Sequence, residues 1–135
     1  MEARELRIGN KFWRLCCNDE VVEIRQDGVI GIDSLRGLIS YSEIKPIPIT
    51  EELLLKIGFK KDRNEYFNYR EYNDELSIRF TPYYTTIEYA NLFHCPEDVT
   101  ETNYCSSLEF PNSICVHTLQ NIWYLLTGNE LEIKL

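Results

Sequence analysis

The feature of this sequence that most constrains its fold is a stretch of helical periodicity near its end, Cys115–Thr127. Five apolar side chains recur there at offsets of three and four, which places them along one side of a helix: Val116, Leu119, Ile122, Trp123 and Leu126. Asn112 or Ser113 can cap the first turn, and Gly128 can adopt the left-handed conformation that ends a helix. The sequence therefore predicts a helix that must bury one face in a core.

The residues on both sides of this helix have the patterns of β-strands. After Gly128, charged and apolar residues alternate from Glu130 to Leu135, which predicts a closing strand. Upstream, aromatic and β-branched residues predict a three-stranded antiparallel meander, on which we expect the helix to pack, with strands over Glu65–Tyr72, Glu75–Phe80 and Tyr83–Tyr89. Between meander and helix, Asn91–Pro111 has no clean period and is interpreted as a long acidic loop with a short strand near Leu108.

The first third of the chain contains several short apolar stretches separated by turn residues. Asp27-Gly28 separates two of them, Val21–Arg25 and Val29–Ile32, and this is the strongest local signal for a hairpin. Four or five such strands before residue 45 predict a small bent sheet or barrel. An extended connector with two prolines then leads to a short helix, capped by Thr50 and ended by Gly58.

These elements predict an α+β fold in a single compact domain. The expected order is a β-rich N-terminal subdomain over residues 1–49, followed by a helix–meander–helix–strand subdomain over residues 50–135. The length of 135 residues is that of one domain with one core.

Charge and composition exclude several classes of protein. The net charge is −8, and residues 80–133 carry seven acids and no Lys or Arg, which argues against phosphate binding by that region. No apolar run reaches the roughly 20 residues of a membrane span, and no apolar signal segment follows the charged N-terminus. Five cysteines, an odd number, do not form a disulfide framework. We therefore expect a cytoplasmic protein that does not bind membranes and whose C-terminal region does not bind nucleic acid.

The sequence contains metal-ligating residue types, but their spacing is not that of a metal site. These residues are His94, Cys95, Cys105, Cys115 and His117. No Cys-x-x-Cys or His-x-x-x-His pair is present to form half of a zinc site, and no glycine-rich phosphate loop occurs. Pairing of a cysteine with His117 for nucleophilic catalysis has no supporting pattern. We expect no metal and no cofactor.

A stripe of uncharged polar residues on the second side of the C-terminal helix forms the candidate binding site: His117, Gln120, Asn121 and Tyr124. A purely solvated face would ordinarily carry Lys and Glu. Two interpretations remain open. These side chains could bond backbone groups of the Asn91–Pro111 loop, or they could contact a partner.

Three segments of the chain resemble uncharacterised small proteins of phages, prophages and mobile elements of Bacteroides-type gut bacteria. They are Leu6–Asn10, Ile44–Phe59 and Val116–Leu131, the last with Val-His, Leu-Gln-Asn and Leu-Thr-Gly in the expected order. Residues 60–113 have no counterpart, and Cys115 and Thr118 replace an aromatic residue and a Gln. The resemblance implies a phage or mobile-element origin and implies no chemistry.

Three functions are compatible with these observations. The first is a non-catalytic protein-interaction module that binds a host or phage protein through its acidic, Tyr-rich C-terminal half. The second is a small enzyme with a polar site near His117. The third is nucleic-acid binding by the N-terminal β-subdomain, through bases that lie beside Phe12 and Trp13: Arg4, Arg7, Lys11, Arg14 and Arg25.

Overall fold

A computed structural model describes residues 5–14, 17–32, 37–62, 66–71, 73–81, 83–91, 106–111 and 114–134, with the side chains of residues 62 and 66 excepted. These residues form two five-stranded antiparallel sheets and two α-helices, which confirms the predicted α+β class. Apart from the last two residues, the chain divides into two compact units. The first contains Met1–Ile49 and Cys115–Ile133, and the second contains Thr50–Ile114.

The sheet of the first unit is built from short strands, as the sequence predicts. They are β1 (Lys11–Arg14), β2 (Cys17–Arg25), β3 (Gly28–Gly31), β4 (Leu38–Ser40) and β5 (Ile44–Lys45). Their order is β4-β3-β2-β1-β5, and the register of β2 on β3 shifts between Val21 and Glu23. A 3₁₀ turn, Tyr41–Glu43, precedes β5 and is capped by Ser40. A cluster of buried side chains forms the core of this sheet: Leu6, Phe12, Val21, Val29, Ile39 and Ile44.

The predicted β2–β3 hairpin is confirmed, but its glycine has a different role from the one expected. Arg25 pairs with Gly28, so Gly28 is the first residue of β3 and does not have a positive φ. A Cβ atom on Gly28 would lie 2.0 Å from the carbonyl oxygen of Ile39 on β4. The residue is therefore glycine because two backbones approach closely.

The second unit begins with the predicted short helix, α1 (Glu51–Lys56). The Thr50 hydroxyl accepts the N–H of Leu53 at 3.2 Å, and Gly58 ends the helix with φ of 102°. The sheet that follows has its strands in sequence order: β6 (Lys60–Asp62), β7 (Tyr66–Glu71), β8 (Asp74–Phe80), β9 (Tyr84–Asn91) and β10 (Ser106–Pro111). Strands β7 to β9 are the predicted meander, and β10 contains the strand expected near Leu108. The rest of the predicted acidic loop, residues 92–105, lies outside the described residues.

The C-terminal helix, α2 (Val116–Thr127), ends at Gly128 with φ of 75°, as predicted. Cys115 is its N-cap and makes no side-chain cap, while Asn112 and Ser113 lie outside the described residues. The helix groups with the N-terminal sheet in the first unit, whereas the sequence analysis assigned it to residues 50–135. One physical reason is a hydrogen bond from the Val116 N–H to the Ile47 carbonyl at 2.9 Å.

In the segment after α2, buried and exposed side chains alternate as predicted, but the predicted strand is not formed by the described residues. Leu131 and Ile133 are buried, and Glu132 and Lys134 are exposed. Residues 130–134 nevertheless form no strand with the sheets of the described chain. Their period of two reflects one buried and one solvated side of an extended segment.

Candidate functional site

The four candidate residues on α2 differ widely in exposure. Gln120 and His117 are buried, with 2% and 7% of their surface exposed, while Asn121 is half-buried and Tyr124 is 43% exposed. They therefore do not form one continuous exposed surface, and the contacts of each residue indicate its role.

Gln120 bonds to the backbone of the segment that leads into β1. Its Oε1 accepts the N–H of Lys11 at 2.9 Å, and its Nε2 donates to the carbonyl of Gly9 at 3.1 Å. Both polar ends of the amide are satisfied, as burial requires. The side chain thus fixes the distance between α2 and the start of the first sheet.

Asn121 bonds to three residues of the same segment. Its Oδ1 accepts from the Asn10 side chain at 2.9 Å and from Nε of Arg7 at 3.2 Å, and its Nδ2 donates to the Glu5 carbonyl at 3.2 Å. Most of the Asn91–Pro111 loop, which was one of the two partners considered for these side chains, lies outside the described residues. The partners of Gln120 and Asn121 lie at the N-terminal side of the same compact unit.

Arg7 joins this segment to the middle of α2 and to the residues that follow the helix. Its guanidinium donates to both carboxylate oxygens of Glu130, at 2.5 and 3.0 Å, and to the Gln120 carbonyl at 3.4 Å. The guanidinium carbon also lies 4.1 Å from the centroid of the Tyr124 ring. We call the whole set the loop–helix network: Glu5, Arg7, Gly9, Asn10, Lys11, Gln120, Asn121, Tyr124 and Glu130.

The turn that carries Arg7 is itself well defined. The Asn10 N–H bonds to the Arg7 carbonyl at 3.0 Å, and the Asn10 side chain accepts the Arg7 N–H at 2.8 Å. Gly9 occupies the left-handed region with φ of 90°, which glycine adopts without strain. Two further backbone hydrogen bonds join Gly9 and Asn10 to Val21 on β2. The loop is therefore held by the sheet on one side and by α2 on the other.

His117 is the buried candidate without such bonds. Its Nδ1 has no hydrogen-bond partner among the described residues. Burial lowers the pKa of His117, and the negative charge of Glu5 partly opposes this effect. Burial also raises the pKa of the neighbouring Cys115 thiol. Near neutral pH the imidazole is therefore neutral and the Cys115 thiol is protonated, whereas an activated nucleophile needs a thiolate. Cys95 and Cys105, the two cysteines considered as partners of His117 in nucleophilic catalysis, lie outside the described residues.

The bases proposed for nucleic-acid binding are paired with acids. Contacts join Lys11 to Glu20, Arg25 to Glu23, Arg7 to Glu130 and, at 3.9 Å, Arg14 to Glu43. Phe12 is fully buried, so only Trp13 of the two aromatic residues is exposed, and Arg4 lies outside the described residues. A surface of this kind offers few cations for phosphates.

The structure brings no metal site together in the part of the chain that it describes. No group of three or more His, Cys, Asp and Glu residues there is arranged to hold a metal ion. His94, Cys95 and Cys105, which the sequence analysis weighed as ligands, lie outside that part.

Three members of the loop–helix network, Gln120, Asn121 and Tyr124, were predicted as a binding site from the sequence. Arg7 and Lys11 were predicted for a different role, nucleic-acid binding, and Asn10 and Glu130 were not predicted. Arg7 and Asn10 lie in the segment Leu6–Asn10, and Gln120, Asn121 and Glu130 lie in the segment Val116–Leu131. Those two segments meet in the structure through the hydrogen bonds of Asn121.

No family model, curated protein or solved structure matches this chain. Among the described residues, none of the helices is long and apolar enough to cross a membrane.

Proposed function

We propose that this protein is a non-catalytic protein-interaction module. Its binding surface is the end of α2 together with the neighbouring turn, which we call the helix-end surface: Arg7, Ile8, Tyr124 and Leu125. The observation that carries the proposal is the stacking of Arg7 on the exposed ring of Tyr124, at 4.1 Å, while Glu130 holds the guanidinium in place.

A fixed Arg–Tyr pair is well suited to binding a protein. Tyr and Arg are enriched among the residues that dominate interface energies. Because Arg7 already bonds to Glu130 and Asn121, a partner would not need to immobilise it, and the entropic cost of association falls. Two apolar side chains adjoin the pair in sequence and face solvent, Ile8 at 59% and Leu125 at 82% exposure. They supply apolar area that a partner can cover.

The two other functions have less support. An enzyme site near His117 would need an accessible catalytic group, and the His117 imidazole is buried. The exposed Tyr124 lies two helical turns, about 10 Å, away along α2. Nucleic-acid binding by the N-terminal sheet would need cations that are not already paired with carboxylates. The resemblance to proteins of Bacteroides-type phages and mobile elements supports a partner in the host cytoplasm, where such a module would modulate a host factor.

Capture of a partner by matched variants tests the proposal. The parent protein, Leu125→Ser and Ile8→Ser are immobilised in parallel, and proteins retained from a Bacteroides lysate are quantified by mass spectrometry. Ile32→Ser is the control, because Ile32 is equally apolar and 63% exposed but directly follows β3. We expect one discrete protein to bind the parent and Ile32→Ser, and to bind at least about tenfold less to the two helix-end variants. Equal retention by all four proteins would reject the helix-end surface.

A further inference from the structure

The four edge strands of the two sheets differ in how they are protected from pairing with another chain. Strands β4 and β5 have three and two residues, and β6 has three residues, two of them Lys and one Asp. Short length and charge are the usual means by which natural edge strands avoid pairing. β10 has six residues and one charged side chain, Glu109. Among the described edge strands it is the longest, and its proline, Pro111, which is another residue that protects edges, occupies only the last position.

The backbone groups of β10 that face away from β9 can be identified. Pro111 has no N–H, so its pair with Tyr84 cannot be a hydrogen-bonded pair. In agreement, the Tyr84 carbonyl accepts the N–H of Thr81 at 2.9 Å, on the β8 side of β9. Orientation alternates along a strand, so the N–H and C=O groups of Ser107 and Glu109 also point to the open edge.

The side chains of β10 present a different chemistry on each face of the sheet. Leu108 continues a row of paired residues across the sheet: Phe67, Ile78, Ile87 and Leu108. The first three are buried and Leu108 is 41% exposed, so the row ends in an apolar side chain at the edge. On the opposite face, Glu109 and Ser107 are exposed.

We propose that β10 binds an extended segment of a partner protein, which adds to the sheet as a sixth strand. The segment carries apolar residues alternating with Lys or Arg. Its backbone pairs with the outward groups of Ser107 and Glu109, an apolar side chain covers Leu108, and a basic side chain lies beside Glu109. The inference rests on the proposed function for the class of partner, but it uses a different surface.

Charge favours a basic partner over a second copy of this chain. Residues 50–114, the second unit that contains β10, form an acidic region of the chain with twelve Asp and Glu against six Lys and Arg, and the whole chain carries a net charge of −8. Two copies joined at β10 would bring two such acidic regions together, whereas a basic segment would be attracted to one of them.

Fluorescence anisotropy with a labelled peptide of alternating Val and Lys tests this mode of binding. The comparison probes are a Val–Glu peptide and the Val–Lys peptide N-methylated at alternate amides. Glu109→Gln removes the charge and keeps the outward N–H, whereas Glu109→Pro removes both and leaves the bonds to β9 in place. Leu38→Lys, on the β4 edge, is the control. Circular dichroism verifies that each variant is folded.

We expect the Val–Lys peptide to bind the parent and Leu38→Lys equally and the methylated peptide to bind neither. Binding should weaken several-fold in Glu109→Gln and by a further factor of about ten in Glu109→Pro. Glu109→Lys should prefer the Val–Glu peptide. Because Glu109→Lys and the methylated probe do not depend on a proline variant, the test remains decisive even if Glu109→Pro unfolds.

Three outcomes would overturn the proposal: equal affinities of Glu109→Gln and Glu109→Pro, no binding of the peptide to the parent, or a dimer in light scattering that Glu109→Pro dissociates. The last would assign the edge to a second copy. Leu125→Ser should bind the peptide like the parent, so failure at β10 is distinguishable from failure at the helix-end surface.

Discussion

Gln120 and His117 are both polar, both buried and three residues apart on α2, yet their side chains differ in hydrogen bonding. The Gln120 amide bonds at both ends to the backbone of residues 9 and 11. The Nδ1 of His117 has no partner among the described residues. A buried polar atom without a hydrogen bond costs about 1–3 kcal/mol, and protonation of this imidazole would add a buried charge.

Stability should therefore depend on pH through His117. Burial lowers its pKa in the folded protein, whereas the unfolded chain titrates near the ordinary value of about 6.5. Between the two pKa values the unfolded state binds more protons. The contribution of this residue to stability is fully present above about pH 6.5 and is lost as the pH falls through that window.

The variant His117→Gln removes this titration. We expect the loss of unfolding free energy between pH 7.5 and 5.5 to be smaller in His117→Gln than in the parent, as measured by urea denaturation. His94→Gln is the control, since His94 is the only other histidine of the sequence. A parent-like pH dependence in His117→Gln would contradict the assignment.

At the scale of elements, the sequence predicted those that have a local pattern and did not predict those that depend on pairing with distant residues. The β2–β3 hairpin, both helices and the strands β7 to β9 follow from signals within ten or so residues of each other. Strand β6 was not predicted, because the sequence of Lys60, Lys61 and Asp62 has no strand pattern. These residues form a strand by pairing with β7. The partner of Asn121 was also unpredictable, because Asn10 lies 111 residues away.

Asn121 offers a test of how much the loop–helix network stabilises the first unit. Asn121→Ala removes three hydrogen bonds and leaves the Asn10 amide without its acceptor, so we expect a loss of about 1–3 kcal/mol in urea unfolding. Asn18→Ala is the matched control, since Asn18 is exposed on β2 and its side chain makes no hydrogen bond within the described chain. Equal losses in the two variants would show that the network adds little.

At the scale of the whole molecule, the first unit is assembled from the two parts of the chain that flank the second. Arg7 and Glu130, which are 123 residues apart in sequence, form an ion pair within it. Such a topology is not visible in local periodicity, and for this reason the sequence analysis drew its boundary at residue 50 and kept α2 on the other side. Closing so long a loop has an entropic cost that packing must offset.

The extended segment after α2 contributes to this closure. Leu131 is 1% exposed, and Leu131→Ala should lower the free energy of unfolding by about 2–5 kcal/mol. Glu132→Ala, at the neighbouring exposed position, should change it by less than about 0.5 kcal/mol. Thermal and urea melts of the two variants would measure the difference, and a Leu131→Ala protein as stable as Glu132→Ala would remove this segment from the folding unit.

The division of the first unit between two distant parts of the chain also bears on its biosynthesis. During translation, domains usually fold in the order in which they leave the ribosome. Here the second unit, a continuous segment, can fold first, while the earlier-made residues of the first unit wait for Cys115–Ile133. The 84 residues that follow Ile49, up to Ile133, take on the order of 4–17 s at about 5–20 residues per second. In that interval the first sheet lacks α2, and apolar surface that is exposed for a time in this way makes a nascent chain prone to aggregation.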